Sequence, residues 1–510
     1  MRKPSLFLLT VVMGASIDSA EAVEPVSGMS ITEDTAFDAG TFTLTAAISI
    51  ASDDVTITGA GQGNTILKVV DDDKAGFNVF EIHHRKGVVV KDLTIEGNKE
   101  TLKWNPTWRS NERHWNGFHV TNTSNTTIQN VTVVNMGDNG LIWEDGLNNN
   151  NHVLDSTFNF NGWVTAAGGV HPSSGAWMAV VNNSSIERCR AEGNGYHGLG
   201  MAGDHNTIRG SKAIGNARGG IVLNGATNSL MENNLSISNS EGLVNVGNPA
   251  SPGQQNVLRN NTTLNSREHG ICINVRPTKP ADAAIVEYNT INGTGLGGGA
   301  WDGLYGADGA YHIIRNNIFN NTTRSGIFLN GTSDALIENN MISNIEDNGI
   351  RVEARNNGGY RNRLINNTVT RANRGIALFT SDTFVFGNRT LALRSHGILV
   401  VSGSGNRGDE NTANSTLGWN DDGTSGATYR SSDPLRYDFN GDLAIDARDI
   451  EMLSAAIKSG TIDHKYDMDG MDDGGSPYGV TAYDQQYLVT KIIDKKVGAH
   501  PIPQATTVAE

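Results

Sequence analysis

A glycine followed by an apolar residue recurs through most of the chain, and this repeat constrains the fold more than any other feature. The commonest step between successive pairs is 22 or 23 residues. The pairs are Gly117-Phe118, Gly140-Leu141, Gly175-Ala176, Gly198-Leu199, Gly220-Ile221, Gly242-Leu243, Gly270-Ile271, Gly303-Leu304, Gly326-Ile327, Gly349-Ile350, Gly375-Ile376 and Gly397-Ile398. Apolar and polar residues alternate within each repeat with the period of two that marks short strands. Two strands per repeat, joined by tight turns, predict a solenoid of parallel strands.

Asparagine supplies a second periodic column. The chain has 510 residues, of which 60 are glycine and 57 are asparagine. One asparagine holds the same place in six successive repeats: Asn234, Asn261, Asn289, Asn317, Asn340 and Asn367. Stacked side-chain amides hydrogen-bond along a ladder and satisfy one another when buried. We therefore expect these asparagines to be structural.

The repeat resembles the right-handed parallel β-helix of the pectate-lyase-like superfamily. Thr56 to Gly61 and Leu93 to Asn98 look like the opening coils of such proteins. The resemblance implies an all-β domain over residues 23–425, a solenoid of about 12 or more coils. It implies no single function, because this fold hosts lyases, hydrolases, epimerases and adhesins.

The first 22 residues have the pattern of a signal peptide. Arg2 and Lys3 precede a short apolar run from Ser5 to Met13, and Ala20-Glu21-Ala22 offers a cleavage site. The run is shorter than the ~20 residues that a membrane span needs. We expect a secreted protein, extracellular or attached to a cell surface, without a membrane span. A formal net charge of −15 argues against nucleic-acid binding.

The C-terminal region differs from the repeats. After a linker at residues 426–432, residues 433–498 resemble a dockerin type I module with EF-hand-like loops, and residues 499–510 form a tail. Oxygen-bearing residues at loop positions 1, 3, 5, 9 and 12, with Ala444 at position 7, match the ligand spacing of a calcium loop. The expected metal residues are Asp438, Asn440, Asp442, Ala444, Asp446 and Asp449, with Asp467, Asp469 and Asp484 in a second repeat. Leu443 stands at position 6, where glycine is usual. The resemblance implies Ca²⁺ as cofactor, short α-helices and a cohesin-like partner.

The repeat register predicts which side chains face outward. The residue after each glycine points inward, so the residue before it and those two and four places after it should point outward. Glu241, His269 and Asp302 occupy the outward position before the glycine in three consecutive coils, about 4.8 Å apart per coil. Flanking carboxylates should raise the pKa of a histidine. We therefore predict a catalytic group of His269, Glu241, Asp302 and the neighbouring Tyr305.

Six of the eight tryptophans lie between residues 104 and 177, and this cluster predicts a sugar-contact surface. Flat aromatic faces stack on sugar rings, and arginine neutralises a uronate or sulfate. Trp143 is predicted to point inward and Glu144 outward. The expected substrate-binding residues are Trp104, Trp108, Trp115, His119, Trp177 and His197, with Arg276 and Arg351 near the predicted catalytic group. The cluster is also a competing location for the catalytic centre.

These features favour a carbohydrate-active enzyme that cleaves an acidic polysaccharide, most simply a lyase on a uronate-containing polymer. His269 or Tyr305 would serve as base and acid. Arg276, Arg351 or a Ca²⁺ held by Glu241 and Asp302 would neutralise the substrate carboxylate. The alternatives are a glycoside hydrolase on the same fold and a non-catalytic adhesive β-helix. The Asp-Pro-His motif of alginate epimerases is absent from the matching strands, for example Gly140 to Glu144.

The two cysteines are predicted to be unpaired. Cys189 aligns with the asparagine column, and Cys272 faces outward after Gly270. They lie about four coils apart, roughly 19 Å by the strand spacing. A disulfide requires Cα atoms within about 7 Å.

Overall fold

The computed structural model describes residues 21–71, 77–101, 115–162, 173–247, 255–277, 279–355, 358–415, 420–421 and 428–431, with Glu451 and Ala455. These residues form an all-β solenoid of parallel strands, as the repeat predicts. The chain divides into two compact units, Met1–Arg218 and Gly219–Glu510. Apart from strands, the described residues contain a 3₁₀ turn at Pro280–Asp282 and helical positions at Glu451 and Ala455. None of their helices is long and apolar enough to span a membrane.

Most coils contain three short strands rather than the predicted two, and in the others one longer strand runs through two faces. We name their positions the first, second and third faces, in chain order. The strands that begin at Leu141, His152 and Thr157 make one such coil. Each strand pairs in parallel with its equivalent in the next coil, so that Phe80, Phe118, Leu141 and Ala176 are successive partners on the first face.

The strands of the first unit, Met1–Arg218, are grouped here by face. The first face holds Ser30–Ile31, Ile48–Ile50, Phe80–His83, Phe118–Thr121, Leu141–Glu144, Asn148–Asn149, Ala176–Asn182 and Leu199–Asp204. The second face holds Thr35–Ala36, Thr56–Thr58, His152–Leu154, Ser185–Glu187 and Thr207–Arg209. The third face holds Gly40–Leu44, Thr65–Val69, Thr157–Asn159, Arg190–Glu192 and Lys212–Ile214. Val89–Glu96 and Thr127–Val134 run through both the second and third faces.

The second unit, Gly219–Glu510, repeats the arrangement. Its first face holds Gly219–Asn224, Glu241–Val246, Ile271–Asn274, Leu304–Ala307, Ile327–Asn330, Asn348–Glu353, Arg374–Phe379, Ile398–Ser402 and Asn420–Asp421. Its second face holds Leu230–Glu232, Val257–Arg259, Ile285–Glu287, Ile313–Arg315, Leu336–Glu338, Arg363–Ile365, Phe384–Phe386 and Thr428–Ser431, and Arg407–Ser415 runs through both the second and third faces. Its third face holds Leu235–Ile237, Thr262–Leu264, Thr290–Asn292, Ile318–Thr322, Met341–Ile345, Thr368–Thr370 and Arg389–Leu393.

A left-handed residue bends the chain between the second and third faces and accounts for the extra strand. Asn233 (φ 55°), Asn260 (φ 54°) and Asn339 (φ 54°) stand at this corner in three coils. Asparagine tolerates a positive φ because its short polar side chain bonds locally. One such residue divides what reads in sequence as one alternating segment into two strands.

The predicted asparagine ladder is present at this corner. From Asn234 to Asn367, each side-chain Nδ2 donates to the Oδ1 of the next ladder residue at 2.9–3.0 Å. The ladder continues through Asn388 and Asn411, each link at 3.0 Å. Each of these Oδ1 atoms also accepts the main-chain N–H of the preceding ladder residue, as between Asn234 and Asn261 at 3.0 Å. The free-energy cost of burying these side-chain amides is therefore offset by the hydrogen bonds that they form.

The glycine column has a steric cause. A Cβ at Gly117, Gly140 or Gly175 would collide with the main-chain carbonyl of the glycine in the next coil, at 2.5–2.6 Å. The following residues pack inward as predicted, for example Phe118 and Leu141, both fully buried. The rings of Phe80 and Phe118 stack at 5.2 Å.

Candidate functional site

The strand register brings two rows of polar and aromatic side chains together on the outer first face of the first unit. In the first row, the residues paired across successive strands are Glu81, His119, Ile142 and Trp177. His83 pairs with Thr121, and Thr121 pairs with Glu144. The alternation that buries Phe80 and Phe118 therefore points Glu81, His83, His119 and Glu144 to the same side.

His119 stands at the centre of this group. Its Nε2 lies 3.1 Å from Oε1 of Glu144, and its Nδ1 lies 3.3 Å from the side-chain amide nitrogen of Asn78. Because the Asn78 amide is a donor, Nδ1 accepts and Nε2 carries the proton toward Glu144. The same amide lies 3.4 Å from Oε1 of Glu81. The His119 side chain is 15% exposed and that of Glu144 is 31% exposed, so solvent reaches the pair.

A second histidine packs against the first. The rings of His83 and His119 meet edge to face at 4.9 Å, and Nδ1 of His83 lies 2.8 Å from the Thr121 hydroxyl. Burial lowers the pKa of His83, and the His119 charge acts in the same direction. Both effects favour the neutral form of His83.

Aromatic side chains continue the row. The Trp177 indole stacks on His197 at 5.5 Å with an interplanar angle of 23°, and Tyr196 contacts His197 at 4.0 Å between ring centroids. The indole lies across Gly200, where a Cβ would collide with it. Trp177 is half-buried and His197 is buried. Because Gly200 has no side chain, the Trp177 indole lies flat against the strand on the outer surface.

The predicted group of Glu241, His269 and Asp302 forms one column in the second unit, as the register Leu243–Ile271–Leu304 requires. The three residues share the predicted outward column, but two of them are covered rather than open to solvent. The His269 side chain is 7% exposed and the Asp302 side chain is fully buried, whereas Glu241 is half-buried. His269 stacks on Tyr305 at 4.8 Å and meets Trp301 edge to face at 4.8 Å. These rings cover a position that the strand pattern alone leaves open.

Asp302 is engaged by its neighbours. Arg324 donates to both carboxylate oxygens through Nε, at 2.9 Å, and through a terminal nitrogen. The main-chain N–H of Ser325 donates to Oδ1 at 3.1 Å, and that of Asp302 itself donates to Nδ1 of His269 at 3.2 Å. Burial raises the pKa of Asp302, and the carboxylate raises the pKa of Arg324.

The expected rise in the pKa of His269 is wrong. Burial, reinforced by the Arg324 charge, lowers the pKa of His269 to about 3. The flanking carboxylate does not offset these effects because it is already paired with Arg324. A neutral imidazole with so low a pKa is a weak proton acceptor at neutral pH.

The predicted calcium between Glu241 and Asp302 does not fit this geometry. Both oxygens of Asp302 accept from Arg324. Within the part of the chain that the structure describes, no cluster of three or more His, Cys, Asp or Glu residues could hold a metal ion. The C-terminal calcium residues, from Asp438 to Asp484, lie outside the described residues, and their calcium binding stays a prediction.

The remaining predicted contact residues are dispersed. Arg351 lies over Phe328 at 4.9 Å and over Phe379 at 4.8 Å, on the outer first face of the second unit. Arg276 pairs with Asp308 at 3.1 Å. Trp115 is buried, 5% exposed, and does not present its ring to solvent. Trp104 and Trp108 lie outside the described residues.

Two further predictions about side chains are confirmed. Trp143 is fully buried and donates from Nε1 to the Thr123 hydroxyl at 2.8 Å. Cys189 and Cys272 form no disulfide; Cys189 is buried and Cys272 half-buried.

Sequence reasoning missed Glu81, His83 and Arg324. The coil of Glu81 and His83 has Val79 where later coils have glycine, so the glycine column does not include this coil. Alignment by the alternating segment from Phe80 to His83 would have found both. Arg324 lies two residues before its glycine, outside the columns predicted to face outward, and no local signal pairs it with Asp302.

A family model described as right handed beta helix region matches residues 170–302 and 279–413. A search of curated proteins gave no match. Among solved structures, the pre-mature bacteriophage phi29 gene product 12 is similar with a TM-score of 0.56 at 12% identity, covering 78% of this chain and 53% of that one. The chain thus spans about half the length of that protein, and at this identity the likeness shows the fold alone.

Two enzyme domains are similar at lower TM-scores. The catalytic domain of a GH87 alpha-1,3-glucanase has a TM-score of 0.44 at 15% identity, with 73% of this chain and 64% of that chain covered. The A-module of the Azotobacter vinelandii mannuronan C-5 epimerase AlgE4 has a TM-score of 0.36 at 14% identity, with 78% and 91% covered. These scores support no conclusion about activity.

Proposed function

We propose that this chain is a secreted carbohydrate-active enzyme that cleaves an acidic polysaccharide, with its centre at His119 and Glu144. The observation that carries the proposal is the 3.1 Å contact between these side chains, both part-exposed on the outer first face. A histidine and a carboxylate in hydrogen-bond reach form an acid–base pair near neutral pH. The His269 group of the second unit lacks this access and is assigned a structural role.

The neighbouring side chains fit a sugar substrate. Trp177 offers an indole surface in the same row as His119, and such faces pack on sugar rings. The Asn78 amide contacts both His119 and Glu81. It therefore fixes the ring orientation of His119 and the position of a second carboxylate.

Two reactions are compatible with these groups. In β-elimination a base removes the C5 proton of a uronate, an acid protonates the leaving oxygen, and a cation neutralises the carboxylate. Arg109 and Arg113, outside the described residues, precede the His119 strand in sequence and are candidate neutralisers. The pair of carboxylates, Glu81 and Glu144, favours glycoside hydrolysis as a second candidate, in which one acts as acid and the other as base or nucleophile.

A panel of acidic and neutral polysaccharides tests the proposal. A lyase generates an unsaturated uronate that absorbs ultraviolet light, whereas a hydrolase generates reducing ends without that absorbance. Products that disappear in His119→Ala support the proposed centre. If the wild-type chain releases neither product from any polymer of the panel, the enzyme proposal is wrong and a binding role replaces it.

We further propose that residues 433–498 attach the enzyme to a cohesin-like partner in a calcium-dependent way. The support is the spacing of Asp438, Asn440, Asp442, Asp446 and Asp449. Such loops fold on metal binding because their carboxylates repel one another. Circular dichroism of the full chain should show helix gained on adding Ca²⁺ and lost with a chelator. An unchanged spectrum up to millimolar Ca²⁺ contradicts the assignment.

A further inference from the structure

A pocket in the second unit lies at the corner between the first and second faces. The turns after the first-face strands Ile271–Asn274, Leu304–Ala307, Ile327–Asn330 and Asn348–Glu353 form its walls in four consecutive coils. Its volume is about 510 Å³, within the range of pockets that hold small ligands. The charged and aromatic side chains that line it are Arg276, Asp308, Tyr311, Asp334, Arg355, Tyr360 and Arg361.

The charges of this pocket do not cancel. Arg276 pairs with Asp308 at 3.1 Å, and Arg361 contacts both oxygens of Asp334 at 2.7 Å. Arg355 is exposed, and its guanidinium makes no hydrogen bond or ion pair within the described part of the chain. Three guanidinium groups against two carboxylates leave one positive charge. This local excess stands out in a chain whose formal net charge is −15.

The floor of the pocket is kept open by glycine. Gly331 has a φ of +80°, and a Cβ there would lie 3.1 Å from the Arg355 Cβ and 3.1 Å from Oδ1 of Asp308. The positive φ favours glycine at this position, and an added Cβ would crowd Arg355 and Asp308. The opening lies directly beside Arg355, where an anionic group could approach the guanidinium.

Aromatic rings complete the lining. Tyr311 and Tyr360 are half-buried, and the Arg361 guanidinium lies over the Tyr360 ring at 4.4 Å. Tyrosine provides an apolar face with a polar edge, a combination suited to sugar rings. Arginine provides paired donors that match a carboxylate or a sulfate.

We propose that this pocket binds an anionic sugar unit, with Arg355 as the group that recognises its carboxylate or sulfate. The proposal rests on the proposed function only for the saccharide class of the ligand. The pocket is built entirely from the second unit and contains no residue of the His119 group. It is a binding subsite that would hold a charged polymer without taking part in bond cleavage.

Isothermal titration calorimetry of the full chain tests this subsite. The protein carries His119→Ala, so that turnover at the proposed centre does not consume the probe. The probes are trigalacturonate, a sulfated galactose trisaccharide and neutral maltotriose. Binding of trigalacturonate indicates a carboxylate ligand, and binding of the sulfated probe indicates a sulfate ester. At least one of these two anionic probes should bind more tightly than maltotriose.

Arg355→Gln should weaken binding of the preferred anionic probe about tenfold, because a hydrogen bond to a charged partner is lost. Arg363→Gln is the matched control: it removes the same charge from the exposed start of a second-face strand that does not line the pocket, and affinity should stay within about twofold of the parent. The subsite is refuted if maltotriose binds as well as both anionic probes, if no probe binds, or if Arg355→Gln leaves the affinity unchanged.

The outcome is separable from that of the proposed enzyme. If no polymer is cleaved but Arg355→Gln still weakens anionic binding, the enzyme proposal fails and the subsite stands. If cleavage depends on His119 and Arg355→Gln has no effect on binding, the enzyme proposal stands and the subsite is wrong.

Discussion

Two histidines lie beside carboxylates on outer first-face surfaces, and their surroundings give them opposite properties. His119 and Glu144 in the first unit have side chains that are 15% and 31% exposed. His269 and Asp302 in the second unit are 7% and 0% exposed, and Arg324 occupies the carboxylate. The same kind of pair is thus positioned for proton transfer in one case and built into the packing in the other. The role of a histidine–carboxylate pair is therefore decided by the side chains that pack over it. The outward position in the repeat does not decide it.

The largest expected effect concerns activity. His119→Ala and Glu144→Gln should each lower the turnover rate by roughly 10²–10⁴-fold, the usual loss of a general acid or base. His269→Gln should retain most of the rate at neutral pH. Initial rates on the polymer cleaved best in the panel provide the measurement. Full turnover in His119→Ala with loss in His269→Gln would reverse the comparison.

The free energy of unfolding should depend more on the buried pair of the second unit than on the part-exposed pair of the first unit. Asp302→Asn leaves Arg324 without its carboxylate in a mostly buried site, which should lower the free energy of unfolding by about 3 kcal/mol. Glu144→Gln changes a part-exposed group and should lower it by less than about 1 kcal/mol. Urea unfolding of both variants measures the difference. Equal losses would show that Asp302 is no more structural than Glu144.

The pH dependence of stability isolates His269. Its pKa is lowered to about 3 in the folded protein, against an ordinary value near 6.5. As the pH falls below 6.5, the unfolded state gains a proton that the folded state does not, so stability falls by up to about 1.4 kcal/mol per pH unit. His269→Gln should flatten this part of the curve between about pH 6.5 and pH 5. A slope identical to that of the wild type would contradict the burial of His269.

The smallest effect tests the aromatic surfaces. Trp177→Ala should raise KM about fivefold with little change in kcat, because stacking on one sugar ring contributes about 1 kcal/mol. Trp301→Ala, which removes the ring that packs on His269, should leave KM unchanged and reduce stability instead. Steady-state kinetics of the two variants make the comparison. A rise in KM for Trp301→Ala alone would place the sugar contact in the second unit.

The sequence predicts the coils well and their surface less well. The glycine column and the asparagine ladder follow from contacts between equivalent positions of adjacent coils, and a periodic pattern records such contacts directly. The third strand is hidden because one left-handed residue, such as Asn233, does not interrupt the alternation. The burial of His269 and Asp302 depends on Trp301, Tyr305 and Arg324, whose packing has no periodic signature. Glu81 and His83 escape notice because Val79 breaks the glycine column.

The asparagine ladder also limits how such a chain can change in length. Successive ladder residues from Asn234 to Asn411 are separated by 21 to 28 residues, yet every link is 2.9–3.0 Å long. Extra residues are therefore absorbed by the other turns of the coil, away from the ladder corner, where insertions and deletions leave the links intact. A gain or loss at the ladder corner itself would unpair two buried amides, so length should vary there only by whole coils. A protein built in this way can therefore diversify by exchanging its loops while the asparagine ladder stays unchanged.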